Sequence, residues 1–506
     1  MGCIACGKPP PSPSTADLRS LLRPPSDIGT YAGFDSARGL LVLGNNQIER
    51  RFLLDGDGSS PHTSHYFYKP SGRNYVSLPC GEFRFRVGEI AYSANMEALK
   101  YKSHKIRQGR SESKNLTVEL EYSEVAGEPI CSVKLHYEVY PNLPLIRKWI
   151  RFENLTDSAF SVEDVIVESL SLAAASKAQS NVFEIRPEST IDSGPFIVLY
   201  ATEGDGGIIV GNEAPGILKH FNLQSGGTEI EIGLTPTSAI NGVEIHVPPN
   251  AVVSTPKVWT MLFEGDYSAS SGVRDLIVGQ GLVSVDEGIA QTPPITWTKI
   301  PTDGKLPDGD FIVVDYDWNG DNLSALRRLA RQAHQDARNF GIRLPIAKID
   351  VRFLNRDEWR LSPVASFASL ASKNPVTQSP GVPDMKSLNS SGGEEVVYCV
   401  LCDYGYYISH AVHVLLEDVK PDLLVFDGAI IGLPDNALKG CAVLRHGHLS
   451  RKGSIGSIYR WVFDFADHLR QQYPNLRIGI TSTAYGVEIP DLAVYAHFDM
   501  FFPERD

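Results

Sequence analysis

Near residue 300 the hydrophobic period of this chain changes, and the architecture has to change with it. Residues 31–300 carry short runs in which apolar and polar residues alternate, such as GEFRFRV at 81–87, LTVELEY at 116–122, CSVKLHYEV at 131–139, LIRKWIRFE at 145–153 and VEIHV at 243–247. A period of two means strands with one buried face, and many such strands at short spacing predict a large antiparallel sandwich. Beyond residue 300 the strands become continuous apolar runs: 311–315 (FIVVD), 346–351, 396–401, 423–426, 478–480 and 492–498. Helical spacing separates several of them, at 322–340, 406–419 and 455–472. Apolar strands alternating with helices predict a parallel sheet covered on both faces. The fold class expected is therefore multidomain, β plus α/β. Its parts are a flexible Pro-rich leader (1–30), a β-domain (31–300) and a parallel α/β domain (311–506). The Pro, Gly and Asp residues at 293–310 form the join, and a Ser/Pro/Gly-rich insertion at 361–393 reads as a disordered loop.

Composition narrows the function. The chain has 506 residues, with 47 Lys and Arg against 60 Asp and Glu, for a formal charge of −13. That balance argues against a nucleic-acid partner, which needs a basic face to neutralise phosphates. Seven Cys in this length exclude a disulfide framework. No apolar run is long enough to span a membrane. Gly2, Cys3 and Cys6 look superficially like an acylation start, but the Ser or Thr usual at position 6 is missing. With no secretory signal visible, a cytoplasmic location is expected. Cys399 and Cys402 fall within a predicted strand, away from the helix start that would activate a thiol. Cys441, His446 and His448 have no second Cys pair at zinc spacing, so a metal is not expected.

The candidate chemistry lies where apolar strands end in acids. Asp315, Asp350, Asp403, Asp427 and Asp499 each close such a run, and Asp317 with Trp318 and Tyr404 stand just beyond two of them. A single terminal Asp is commonplace as a helix cap. A set of them beside aromatic residues suits carbohydrate, because carboxylates accept from sugar hydroxyls and aromatic faces stack on sugar rings. Paired carboxylates are also the machinery of glycoside hydrolysis. Asp427 is the leading nucleophile candidate: it follows four apolar residues and precedes Gly428, so it is rigidly aimed at a turn.

At this point a resemblance enters. Leu145 to Asn154 (LIRKWIRFEN), Asn45 to Arg50 (NNQIER), Val425-Phe426-Asp427, His446-Gly447-His448 and Tyr473 to Leu476 (YPNL) are similar to stretches of the alpha-galactosidase and raffinose-synthase family, glycoside hydrolase family 36 of clan D. The resemblance implies an N-terminal β-supersandwich followed by an incomplete (β/α)8 TIM-type barrel. It implies a retaining hydrolase of alpha-linked sugars, acting by double displacement without a cofactor. Asp427 would be the nucleophile, and Glu504, Asp506 or Asp499 the acid/base. Asp317, Trp318, Asp350, Asp403, Tyr404, His446 and His448 would contact a carbohydrate substrate. A transglycosylase of the raffinose-synthase type, or a non-catalytic carbohydrate-binding relative, is the alternative.

The chain departs from the family pattern in several places. The Lys that precedes the family's nucleophile by two residues is Val425 here. Its Asp-Asp-Gly-Trp is matched at best by Asp350, and its Cys- and Gly-rich segment by Thr481 to Gly486. From Phe311 roughly 200 residues remain, against roughly 250 for an eight-fold barrel. The expectation on that ground is a truncated, poorly soluble and inactive fragment. The sugar, the linkage and the oligomeric state are not specified by these features.

Overall fold

The computed structural model describes residues 29–54, 61–77, 80–94, 99–109, 114–122, 131–141, 143–173, 183–185, 196–201, 206–224, 229–239, 242–265, 294–316, 323–346, 348–350, 395–397, 400–401, 403–428, 450–485 and 492–502. The 361–393 insertion and most of the 1–30 leader lie outside them. The described chain is mostly β-sheet with few helices.

The first part forms antiparallel sheets, as the alternation predicts. A five-stranded sheet runs from Thr30–Asp35 to Arg73–Asn74 in chain order. A nine-stranded sheet is built around Cys131–Val139 and Leu145–Asn154, and a six-stranded sheet around Phe160–Ser171. The alternation is literal in Leu145–Asn154: Ile146, Lys148, Ile150, Phe152 and Asn154 are buried, while Arg147, Trp149, Arg151 and Glu153 are half-buried.

Lys148 points inward because partners await it. Its Nζ donates to Glu82 Oε2 and Glu168 Oε1, both at 2.9 Å. Arg50 Nη1 donates to Glu168 Oε2 at 2.6 Å, and its Nη2 to Glu82 Oε2 at 3.0 Å. All four side chains are almost wholly buried. Burial pushes the Glu82 carboxyl up, but the Arg50 and Lys148 charges outweigh it and hold Glu82 well below the usual carboxylate range.

The second part is a curled parallel half-barrel of six strands: β1 (Ile295–Lys299), β2 (Phe311–Asp315), β3 (Asn339–Pro345), β4 (Leu423–Asp427), β5 (Arg477–Thr481) and β6 (Met500–Phe502). Each pairs in parallel with the next. The helices are α1 (Leu323–Gln335), α2 (Asp403–Val419), α3 (Arg451–Gln472), α4 (Ser482–Tyr485) and α5 (Leu492–His497). In α1 the residues Leu326, Leu329, Ala330 and Ala333 are buried, as their spacing predicts. The Ser450 hydroxyl caps α3 by accepting from Gly453 N at 2.9 Å.

Four strand expectations change. Ile295–Lys299, assigned from sequence to the first domain, is the first strand of the parallel sheet. The third strand is Asn339–Pro345 rather than 346–351. Lys348–Asp350 and Glu395–Val397 form a separate antiparallel pair, outside the barrel sheet. The run at 492–498 is largely the helix α5, and the sixth strand follows it. A short apolar run suits a buried helix as well as a strand, and only packing separates the two.

Candidate active site

Side chains on the parallel strands alternate between two faces. Ile312, Val314, Ile342, Leu344, Leu424, Phe426, Ile478 and Ile480 join one buried cluster with Leu326 and Leu329 of α1, Ile408 and Leu415 of α2, and Ile458 and Val462 of α3. The opposite, inner face has its own apolar layer of Phe311, Val313, Leu423 and Val425, with Ile295, Trp297, Met500 and Phe502 packed on it. Gly479 belongs to that face because a Cβ there would lie 2.7 Å from the Phe502 ring.

Continuing each inner-face series by two residues reaches the carboxyl edge, where the series turns polar. Phe311 and Val313 lead to Asp315, Gly341 to Arg343, Leu423 and Val425 to Asp427, and Gly479 to Thr481. Three of these side chains meet Asp427 or its partner directly. Thr481 Oγ1 donates to Asp427 Oδ1 at 2.7 Å and itself accepts from Ala484 N at 3.2 Å, which fixes its rotamer. Arg343 Nε lies 3.0 Å from Asp427 Oδ2 and 3.1 Å from Asp315 Oδ1. The Arg343 guanidinium rests 5.6 Å from the Trp297 ring centroid, and Trp297 meets Phe502 edge-on. Gly428, at φ +76°, turns the chain immediately after Asp427.

Asp427 is mostly buried, while Asp315 and Arg343 are about one-third exposed. Burial pushes the Asp315 carboxyl above its ordinary value; Arg343 opposes the rise and Asp427 adds to it. Asp315 Oδ1 is buried with its charge partner nearby but accepts no hydrogen bond. The arrangement thus holds a carboxylate clamped by a hydroxyl, a second carboxylate, and a cation between them.

Asp427 stands at the strand end where sequence reasoning put it. Arg343 and Thr481 were missed as its neighbours. The available signal was a lone Arg on the inner-face series of NFGIRLP, at a strand displaced from the expected one. The second parallel strand ends at Asp315, on the inner-face series. Asp350 pairs with Glu395 in the separate antiparallel ribbon. Asp403 and Tyr404 open α2 rather than closing a barrel strand. Asp317, Trp318, His446, His448, Glu504 and Asp506 lie outside the described residues.

Asp499 is a correction. It precedes β6, so it sits at the amino edge, at the other end of the sheet from Asp427. Its Oδ2 accepts from Ile478 N at 2.7 Å, and Arg470 lies 3.4 Å from its Oδ1. Asp422 does the same for Phe340 N at 2.8 Å. Both carboxylates tie the amino ends of neighbouring strands together, a structural task.

Among the described residues no group of His, Cys, Asp and Glu is arranged to hold a metal ion. No described helix is long and apolar enough to cross a membrane.

Antiparallel β-sheets thus lead into a curled parallel sheet with carboxylates on its inner carboxyl edge. No protein-family model and no curated protein matches the chain. Solved structures do. An alpha-galactosidase of glycoside hydrolase family 36 from Geobacillus stearothermophilus, in complex with 1-deoxygalactonojirimycin, superposes at a TM-score of 0.63 with 13% identity, covering 92% of this chain and 75% of that one. A second enzyme of the family from the same organism gives 0.61 and 13%, covering 89% and 72%. The alpha-galactosidase from Lactobacillus brevis gives 0.61 and 13%, covering 93% and 73%. This chain therefore has the fold of the family 36 alpha-galactosidases, in a divergent form.

Proposed function

We propose that the protein is a retaining glycosidase of the alpha-galactosidase type, with Asp427 as its nucleophile. The observation that supports this most is the placement of Asp427: inner face, carboxyl edge, fourth parallel strand, clamped by Thr481 and faced by Arg343. Functional residues of parallel α/β barrels gather at that edge. The domain reading that accompanies it is a β-supersandwich followed by a partial (β/α)8 barrel that begins at Ile295 rather than Phe311. Related folds are seen with raffinose and stachyose bound.

In this reading Asp427 attacks the anomeric carbon and forms a glycosyl-enzyme, which water then releases. A second carboxyl about 5–5.5 Å away protonates the leaving oxygen and later activates the water. Glu504 and Asp506 follow the carboxyl end of β6 in sequence and are the two candidates for that role. Asp315, whose side chain is about one-third exposed, is a candidate acceptor for a sugar hydroxyl. Asp317 and Trp318, which follow β2 in sequence, are further candidates for contact with the sugar.

One observation favours a second reading, sugar binding without turnover: both oxygens of Asp427 already have partners within the protein. A panel of nitrophenyl alpha- and beta-glycosides, run on the wild type and on Asp427→Ala, separates the two. Hydrolysis that survives the substitution removes Asp427 from the nucleophile role. Sugar binding with no turnover in the wild type selects the second reading. Transfer to excess sucrose in place of hydrolysis identifies a transglycosylase.

A further inference from the structure

Two carboxylates one strand apart on the same edge and face of a sheet should repel each other. Asp315 closes β2 and Asp427 closes β4, and β3 between them contributes Arg343. The register makes Arg343 the direct partner of Asp315 on one side and of Val425 on the other. Val425 is fully buried in the apolar inner layer, so the strand that carries Asp427 offers it no cation of its own. Lys299 of β1 is the direct partner of Asp315 and acts on it more weakly than Arg343 does. Thr481 of β5 contributes a neutral hydroxyl. From β6 the described inner-face residues, Met500 and Phe502, are uncharged. Among the described residues Arg343 is thus the one cation within ion-pair distance of Asp427.

We propose that Arg343 is the positioning residue of this site: its charge bridges Asp315 and Asp427 and holds Asp427 Oδ2 while Thr481 holds Oδ1. The Trp297 ring beneath the guanidinium limits its orientation. The catalytic consequence rests on the glycosidase reading above; the electrostatic one does not.

The test compares the full chain with Arg343→Met and Arg343→Lys, in two measurements. The first is the melting temperature from pH 4 to pH 8. A carboxyl whose folded pKa stands above its unfolded value contributes stability at low pH and loses it as pH rises through the folded pKa. Removing the Arg343 charge takes away the interaction that opposes the rise of the Asp315 carboxyl. The deficit of Arg343→Met relative to wild type should therefore be small at pH 4 and widen by about 3–8 °C toward pH 7. Arg343→Lys, which keeps a charge, should show no widening. The second is the pH profile of hydrolysis on whichever glycoside of the panel is cleaved. Its acid limb should move up by about one to three pH units in Arg343→Met and return toward wild type in Arg343→Lys.

A deficit of constant size across pH, with an unmoved acid limb, overturns the proposal and leaves the glycosidase reading standing. A widening deficit in a protein that cleaves nothing overturns the glycosidase reading and supports the pairing by Arg343. Failure of Arg343→Lys to restore either readout also overturns the proposal, because the charge would then not be the operative feature.

Discussion

Lys148→Met is the most informative single perturbation of the β-domain. Methionine keeps the apolar stem and removes the ammonium. In the wild type two cations, Arg50 and Lys148, face two carboxylates, Glu82 and Glu168. The substitution leaves a buried group of net charge −1 and removes the donor of three hydrogen bonds, to Glu82 O, Glu82 Oε2 and Glu168 Oε1. Breaking a buried, hydrogen-bonded pair in this way costs about 3–5 kcal/mol. At about 2–4 °C per kcal/mol for a unit of this size, the melting temperature should fall by roughly 6–20 °C.

The pH dependence has a definite sign. Glu82 is held low in the wild type, so its stabilisation is present above the unfolded carboxyl value and is lost as pH falls through the folded one. In the variant the surplus carboxylate is relieved by taking a proton, so its penalty shrinks at low pH. The gap between the two proteins should close from pH 7 toward pH 4. Urea unfolding followed by the fluorescence of Trp149 and Trp259, which lie in the same sheet, reads both effects. The charge-balanced double variant Lys148→Met/Glu168→Gln should recover most of the loss. A single-variant cost below about 1 kcal/mol, or a double-variant cost equal to the sum of the two singles, would refute the reasoning.

Three further outcomes follow from the same geometry. Thr481→Val removes the 2.7 Å donor to Asp427 and should lower kcat/KM about 10- to 100-fold on any cleaved glycoside, the effect of losing a hydrogen bond to a charged group; steady-state kinetics checks it. Asp499→Asn should cost about 1–3 kcal/mol of stability, through the lost ion pair with Arg470 and the weakened tie to Ile478 N, while leaving the shape of the pH–rate profile unchanged. His136 is pushed down to about 4 by burial and by the Arg151, Lys134, Arg107 and Lys257 charges. A base depressed in the fold stabilises above its unfolded pKa and loses that contribution as pH falls from about 6.5 toward the folded value. His136→Phe, which preserves stacking on Trp149, should flatten that part of the stability–pH curve.

Two of the stretches that carried the family resemblance, Asn45 to Arg50 and Leu145 to Asn154, turn out to serve the fold. Arg50 and Lys148 are halves of the buried charge cluster. Asn45 donates to the carbonyls of Tyr140 and Leu143, and Asn154 to those of Ser158, Val247 and Pro248. Each of these polar residues stands on a buried face, where an unpaired group costs several kcal/mol, so the sheets must supply partners for it. Such residues are legible in a sequence as polar letters at positions where alternation calls for apolar ones. Their partners are not legible, because Glu82 and Glu168 sit on other strands.

The site divides in the same way. Asp427 could be read directly, because a carboxylate that ends an apolar run and precedes Gly carries its own local reason. Asp499 follows an equally apolar run, yet the run is a helix and the acid falls at the opposite edge. Arg343 could not be read at all without knowing that β3 lies between β2 and β4.

What the sequence determined by itself is the change of period near residue 300, and with it antiparallel sheets followed by a parallel helix-covered sheet. Those patterns depend on neighbours along the chain. Only the tertiary structure decided that Ile295–Lys299 belongs to the second part and that Asp315, Arg343, Asp427 and Thr481 share one edge. Parallel strands are joined by long crossovers, so their register is set by packing between segments far apart in the chain, and a one-residue slip would have turned each of these side chains to the other face.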